Sequence, residues 1–463
     1  MFESSCSLTK AEIIIAILKE LQRIETVPPL SEAAANYRLE LPHWISAGDD
    51  RSLIINSKIA NLIWDLAKKL YKDQPTIFRS ISRKDWANIV QRVIGPLIGN
   101  TDYEVPLETS ANAILTNLQY ELKNTDWNLN KRAFLFGCSF IGQPGIPPFV
   151  MGPVTVWQRE KWLDYALENG WLTKLSHRRL LARWSGKPIK KRNSPLDSYN
   201  EDAVVDSVGG APYVCNVETN GIFGEVAKEK AVMAARFALL GVALMWTNPA
   251  KKMAELNLVF DGPPYIQTYA SFQERTGTGT GTGRSWVHLL QGVSLFGEPW
   301  ETMIDERAKW WKTLAEAINC WLSSDGNVQR PNLMNQFVQA LIWFHEACRE
   351  PMPMIATTKF MAALDALACG GQARGIKSLI TSRLRVKESD PIRAGEPSFS
   401  TVIDELYSLG RSRIIHGSSN RIGHDWHDQR SLAESLARIS LILCLQWAAD
   451  HPNSDYPKLM SQP

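Results

Sequence analysis

From Glu301 to Ala449 the chain repeats one pattern, apolar residues at helical spacing between breaks at Pro, Gly or polar turns. Ile304, Trp311, Ala315, Ile318 and Leu322 form one stripe, and Phe337, Leu341 and Phe344 form a second. Phe360, Leu364 and Leu367 form a third, closed by Gly370-Gly371 after the break at Pro351 and Pro353. A helix over Ser398–Ile415 carries Val402, Leu406 and Leu409, and one over Arg430–Ala449 carries Leu432, Leu436, Ile439, Leu443 and Trp447. Five amphipathic helices with such short connections can hide their stripes only against one another, so residues 300–450 read as a helical bundle.

The upstream part differs. Thr9-x-x-Glu12 is a capping box ahead of Ile14, Ile17, Leu18 and Leu21, and further helices are expected over Arg51–Tyr71 and Lys84–Ile98. Residues 1–100 thus read as a helical N-terminal segment. Beyond them come short apolar runs bounded by Gly, Pro, Asn or Asp: Ala133–Phe136, Tyr213–Cys215 and Leu256–Phe260. Runs of that length and setting predict strands. Gly224–Trp246, rich in Ala, Leu and Met, predicts a helix among them. The expected fold class is therefore α+β and mostly helical, an α+β region over 101–295 followed by the C-terminal bundle.

Composition narrows the function classes. Net charge is +3, with 51 Lys and Arg against 48 Asp and Glu, so any attraction for nucleic acid must be local. The 7 cysteines contain no CxxC pair, which suits a reduced, cytoplasmic protein. Ala231–Trp246, the longest apolar segment, is interrupted by Arg236 and ends at Asn248-Pro249; no membrane partner is expected. The acidic Glu3 and the missing basic run before the first apolar stretch argue against a signal peptide.

Leu406-Tyr407-Ser408-Leu409-Gly410-Arg411-Ser412-Arg413-Ile414-Ile415-His416-Gly417 places a guanidinium, a hydroxyl and an imidazole at the end of a bundle helix. Such groups suit RNA cleavage without a metal. A histidine takes the proton from a ribose 2′-hydroxyl or returns one to the leaving oxygen, and an arginine neutralises charge on the transition state. Spacing alone favours a structural reading, with Arg411 snorkelling at the helix end and His416 capping its carbonyls.

The run Arg411-Ser412-Arg413-Ile414-Ile415-His416-Gly417 resembles the R-x(4–6)-H signature of the Apea-like branch of the HEPN family. Ala363-Leu364-Asp365-Ala366-Leu367 is similar to that family's upstream Ala-Leu-Glu-x-Leu helix, with Asp in place of the usual Glu. The resemblance covers about the last third of the chain and implies a HEPN-like helical bundle. It also implies a homodimer that joins two Arg/His motifs into one composite site, cutting RNA with neither metal nor cofactor. Such members serve in anti-phage defence or as toxins, and some keep the bundle only as a non-catalytic RNA- or protein-binding dimerisation module. The catalytic residues implied are Arg411 and His416, with Ser412 orienting one of them or a phosphate oxygen. Transfer RNA is one candidate target, and a phage or host trigger sensed by the N-terminal region is the expected form of control.

Three features compete with or extend this reading. Arg421 and His427 form a second Arg/His pair, and His424, His427 and the neighbouring aspartates offer a sparse metal set in one short loop. Arg374, Lys377, Arg383, Arg385, Lys387 and Arg393 crowd ahead of the motif as a charged loop. Of these Arg383, Arg385 and Lys387, with Arg413 in the motif, are the candidate RNA contacts, a solvated loop being the plain alternative. A second basic run, Lys174 to Arg192 with Trp171 and Trp184 interleaved, reads either as base-stacking surface or as an amphipathic surface helix. The four Thr-Gly pairs of Thr276–Gly283 predict a mobile surface loop, with a phosphate loop as the sharper alternative, although Arg284-Ser285 follows where Lys-Ser/Thr is needed.

Overall fold

A computed structural model describes residues 8–26, 43–73, 78–124, 131–142, 145–262, 265–272, 280–287, 292–295, 300–393 and 395–462. Helix accounts for 63% and strand for 10%, a mostly helical α+β protein. The chain divides into two compact units, residues 1–130 with 220–228, and residues 131–219 with 229–463.

In the first unit the capping box starts α1 (Lys10–Thr26) as expected. The Thr9 N–H donates to Glu12 Oε2 at 2.6 Å, and the Glu12 N–H to Thr9 Oγ1 at 3.3 Å. The helix expected over Arg51–Tyr71 begins later. Arg51–Ile55 is instead strand β2, antiparallel to β1 (His43–Gly48), and Asp49 and Asp50 turn between them at φ 49° and 59°. Leu53, Ile54 and Ile55 run straight into the helical stripe, which disguises the break. The boundary is Asn56, whose side chain accepts from the Ile59 N–H at 3.0 Å and opens α2 (Ser57–Lys72). Helix α3 (Arg83–Gly99) is capped by Ser82 and lies directly on β1. A Cβ at Gly95 would stand 2.1 Å from the Ser46 carbonyl oxygen, so only glycine permits that approach. Together with α4 (Leu107–Asn124) these helices bury Ile13, Ile17, Ile59, Ile63, Trp86, Val90 and Leu118 in one core.

That unit also buries a carboxylate. Glu20 is 3% exposed, and burial pushes its pKa up. Arg23 at 2.6 Å, Lys58 at 2.8 Å and the Asn56 amide at 2.8 Å donate to it and outweigh burial, bringing the pKa down to about 2.

The second unit is built on an antiparallel sheet of order β3-β6-β5-β4, made by β3 (Arg132–Cys138), β4 (Phe149–Met151), β5 (Val154–Gln158) and β6 (Tyr213–Thr219). The strands expected at Ala133 and Tyr213 are present. The one expected at Leu256–Phe260 is not. Only Leu258 bridges to Cys138, and Val259–Asp261 then turns as a 3-10 helix. Asn257 holds the bridge in place: its N–H donates to Ser139 Oγ at 2.8 Å, and its carbonyl accepts the Ser139 N–H at 2.9 Å. Among the connections, α5 (Arg159–Glu168), α6 (Lys174–Trp184) and α7 (Pro195–Val208) bury a small cluster around Trp162, Leu163 and Leu180.

Helix α8 (Gly224–Ala243) and the short α9 (Pro249–Met253) lead on to a hairpin of β7 (Tyr265–Phe272) and β8 (Thr280–Val287). Half of the Thr-Gly repeat, Thr280–Gly283, is therefore strand rather than loop; Thr276–Gly279 lies outside the described residues. Backbone pairing can hold alternate glycines extended where side chains cannot.

The helical stripes appear as α10 (Trp300–Leu322), α11 (Pro331–Arg349), α12 (Pro353–Leu367), α14 (Phe399–Tyr407) and α16 (His427–Asp450). A helix not expected from the sequence, α13 (Gln372–Leu384), stands where a charged loop was read. Its apolar face is only Ile376, Leu379 and Ile380, too thin a stripe to compete with the charges around it. The bundle does not pack alone. Phe136, Phe149 and Val217 of the sheet, Phe237 and Leu240 of α8, and Leu314, Phe344, Phe360 and Leu445 of the later helices share one continuous core. The indole N–H of Trp311 donates to the Gly241 carbonyl at 3.1 Å. The sequence boundary near residue 300 therefore marks a change of composition and not of packing. Arg330, 3% exposed, ties the far end of the bundle by donating to the carbonyls of Ala448 at 2.6 Å and His451 at 3.0 Å where α16 ends.

Among the described residues α16 alone is long and apolar enough to cross a membrane, and half of its apolar window is buried inside the fold.

Candidate functional site

The motif sits where helix geometry changes. Ser398 caps α14, its hydroxyl accepting the Thr401 N–H at 3.3 Å. After Tyr407 the ladder widens into a π turn over Ser408–Ser412, and α15 (Arg413–Ile415) follows. A π turn leaves carbonyls looking for donors, and here α12 supplies one: the Thr358 hydroxyl donates to the Gly410 carbonyl. Gly410 is buried, and a Cβ on it would come 3.0 Å from the Thr357 methyl.

Arg411 lies within this turn and is held on three sides. Nη2 is 2.9 Å from Asp365 Oδ2 on α12, Nη1 donates to Tyr407 Oη at 2.8 Å, and the guanidinium lies 5.3 Å from the Tyr407 ring centre. Asp365 has a second duty, accepting the Gln372 N–H at 2.9 Å where α13 begins. The two segments that carry the sequence resemblance are thus joined by a single ion pair. Asp365 and Tyr407 had no role assigned from sequence. Tyr407 stands four residues before Arg411, a spacing that makes helical neighbours, and that signal was available.

His416 is the C-cap just after α15 and is exposed. The next two residues stop the helix. Gly417 takes φ 68° and donates to the Ile414 carbonyl at 3.2 Å, while the Ser418 N–H donates to the Arg413 carbonyl at 2.9 Å. This is a Schellman cap, and it explains the Gly that follows His in the motif. The imidazole is consequently presented to solvent at a helix end, one turn beyond a fixed arginine. Ser412 is half-buried, and its carbonyl accepts the His416 N–H at 3.0 Å. Arg413 is exposed.

The rival pair is arranged differently. Arg421 pairs with Glu405 at 3.5 Å, and His427 opens α16 with its Nδ1 2.6 Å from Asp425 Oδ1. The His427 backbone and side chain together hold the Asp425 carboxyl below its usual range. Arg421, His424 and Asp425 line a small cavity of about 90 Å³ with Glu405, Trp426 and Gln429, whereas His427 is not among its lining residues. No group of three or more His, Cys, Asp or Glu placed to hold a metal occurs among the described residues.

Comparisons with models of protein families, with curated proteins and with solved structures found no match. The site therefore stands on its own geometry.

The flanking cations divide into two groups. Arg383 faces inward: Nη2 donates to the Gln462 carbonyl at 2.6 Å, the guanidinium lies 5.5 Å from the Trp447 ring centre, and burial lowers its pKa. Lys377 pairs with Asp404 at 3.0 Å and Arg393 with Glu396 at 3.8 Å. Arg374, Arg385 and Lys387 are exposed, so of the residues expected to contact RNA, Arg385, Lys387 and Arg413 are exposed and Arg383 is half-buried.

The second basic run is partly paired. His177 pairs with Asp164, Arg179 with Glu201, Arg183 with Asp202 and Arg192 with Asp197, and Trp184 lies 5.5 Å beneath Arg159. Lys174–Trp184 forms the helix α6 that the surface-helix reading expects, and Lys187–Arg192 follow it outside any helix.

Proposed function

We propose that the chain is a metal-independent endoribonuclease acting through Arg411 and His416. The observation that carries this reading is an exposed imidazole at a helix end, one turn beyond an arginine fixed by Asp365 and Tyr407. In this reaction His416 takes the proton from a ribose 2′-hydroxyl. The freed oxygen attacks the adjacent phosphorus, and the 5′-oxygen leaves as a hydroxyl, giving a 2′,3′-cyclic phosphate. Arg411 neutralises the added charge on the equatorial oxygens, and because its side chain is already ordered it meets the transition state without a search for its rotamer.

Breaking the 5′ bond needs a proton donor as well, and one histidine cannot be base and acid in the same step. A second copy of the chain supplies the other His416 if two motifs face each other. Ile415 and Ile422, 58% and 68% exposed beside the motif, provide apolar surface for such pairing. Arg385, Lys387 and Arg413 supply cations for the backbone of the bound strand.

One observation favours a second reading, a non-catalytic RNA- or protein-binding module. Arg411 is already paired with Asp365 and only 26% exposed, as a structural tie between α12 and α14 would be. Cleavage of total RNA in excess EDTA decides between the two. Cutting by the wild type, lost in both Arg411→Ala and His416→Ala while both stay folded, supports the nuclease. RNA that is bound but left intact supports the module, and undiminished cutting by both variants moves the assignment to Arg421 and His427.

A further inference from the structure

The unit formed by residues 1–130 and 220–228 contains a cavity of about 490 Å³ between α2 and α3, a size suited to a small-molecule ligand. Aromatic rings make its wall. Trp86 is anchored by its indole N–H on the Ala67 carbonyl at 3.1 Å and Tyr71 by its hydroxyl on the Ile81 carbonyl at 2.8 Å. Phe78 lies 4.5 Å from the Tyr71 ring, and Trp64 stands on the other side. Phe78 and Trp64 remain 47% and 38% exposed, so their faces are open to a ligand.

Cations share the same lining. Lys68, Lys69, Lys72 and Arg83 stand against a single acid, Asp65, which pairs with Lys68 at 3.0 Å. Trp64, Lys68 and Lys72 recur every fourth residue and so share one face of α2, with the Lys68 ammonium 5.9 Å from the Trp64 ring centre. A merely solvated basic face would account for the lysines. It gives no reason for exposed flat rings between them or for a hollow beneath.

We propose that this cavity binds a nucleoside phosphate, its base against Trp64 and Phe78 and its phosphates among Lys69, Lys72 and Arg83. Rings give a stacking platform for any base, and four cations to one acid select an anion. The same chemistry is offered by a free nucleotide and by the 5′-phosphorylated end of an oligonucleotide. The site uses neither Arg411 nor His416, and its test does not depend on cleavage.

The full chain is titrated calorimetrically with ATP, a 5′-phosphorylated tetranucleotide and inorganic tripolyphosphate. Saturable binding of ATP or of the tetranucleotide is expected, the tighter of the two naming the source, with tripolyphosphate weaker than both. Trp64→Ala is expected to weaken binding by about tenfold or more, as is the double variant Lys69→Ala/Lys72→Ala, and Trp64→Phe is expected to retain it. Unchanged melting temperatures show that the variants remain folded, and if Trp64→Ala does not fold, the lysine variant decides. No saturable binding of either nucleotide ligand at about 1 mM, affinity unmoved in both variants, or tripolyphosphate binding as tightly as ATP would each overturn the proposal.

Discussion

Asp365 and Arg411 stand 46 residues apart in sequence and meet at 2.9 Å, joining α12 to the turn that carries the motif. Because the same carboxylate accepts the Gln372 N–H, its loss frees the arginine and loosens the start of α13 together. Asp365→Asn keeps the shape and one acceptor but removes the charge. It is expected to lower RNA cleavage by about tenfold or more, with a loss of stability of about 1–3 kcal/mol. Cleavage rates beside chemical denaturation of the same sample check this; equal activity in the variant would make the ion pair purely structural.

Tyr407 offers a milder version of the same experiment. Tyr407→Phe removes the hydrogen bond to Nη1 and leaves the ring beneath the guanidinium. The expected cost is about 1 kcal/mol, read as a few-fold drop in cleavage with little change in melting temperature.

Gly410 is confined by its neighbours. Gly410→Ala brings a methyl to 3.0 Å from that of Thr357, and Thr358→Val strips the donor from the Gly410 carbonyl. Each is expected to destabilise by about 1–3 kcal/mol, through overpacking in the first case and an unsatisfied buried carbonyl in the second. Urea denaturation midpoints measure both.

Gly417 sits at φ 68°, where alanine is strained. Gly417→Ala is expected to cost about 1 kcal/mol and to move His416 by reshaping the cap behind it, so cleavage falls more than stability does. Comparing kcat with the denaturation midpoint separates the two effects.

Glu20 makes the first unit sensitive to acid. Its pKa is about 2 in the folded protein against an ordinary value near 4.5. The stabilisation is therefore complete above pH 4.5 and drains away as pH falls from there towards 2. Its full size is on the order of 3 kcal/mol. Glu20→Gln is expected to remove much of this pH dependence, which melting curves between pH 2.5 and 7 would display.

Sequence periodicity revealed the long helices, but not always the face they bury: Phe337, Leu341 and Phe344 of α11 face the core as expected, whereas of the stripe expected on α16 only Leu436 is buried, and Ala433, Ala437, Leu441, Cys444 and Leu445 make the core side. It failed where the stripe is thin, as in α13, and where a strand feeds directly into a helix, as at Ile55 and Asn56. The strand expected around Asn257 shrinks to a single bridge, held by Ser139, a partner 118 residues away that no local pattern announces. At the candidate site the position of Arg411 and His416 at the end of a bundle helix was legible. Their surroundings were not. The ion pair with Asp365 depends on how two helices cross, and the outward turn of Arg385 against the inward turn of Arg383 depends on where α13 happens to stop.

The widened turn over Ser408–Ser412 is, in topological terms, an ordinary helix carrying one residue more than its ladder requires. Deleting a single residue there would let the ladder close up as regular α-helix, with Arg413 still bonded to Ser408 and the side chains beyond kept on nearly the same face. The stretch thus absorbs a spare residue locally, and the direction of His416 is set by the regular helix on either side of it.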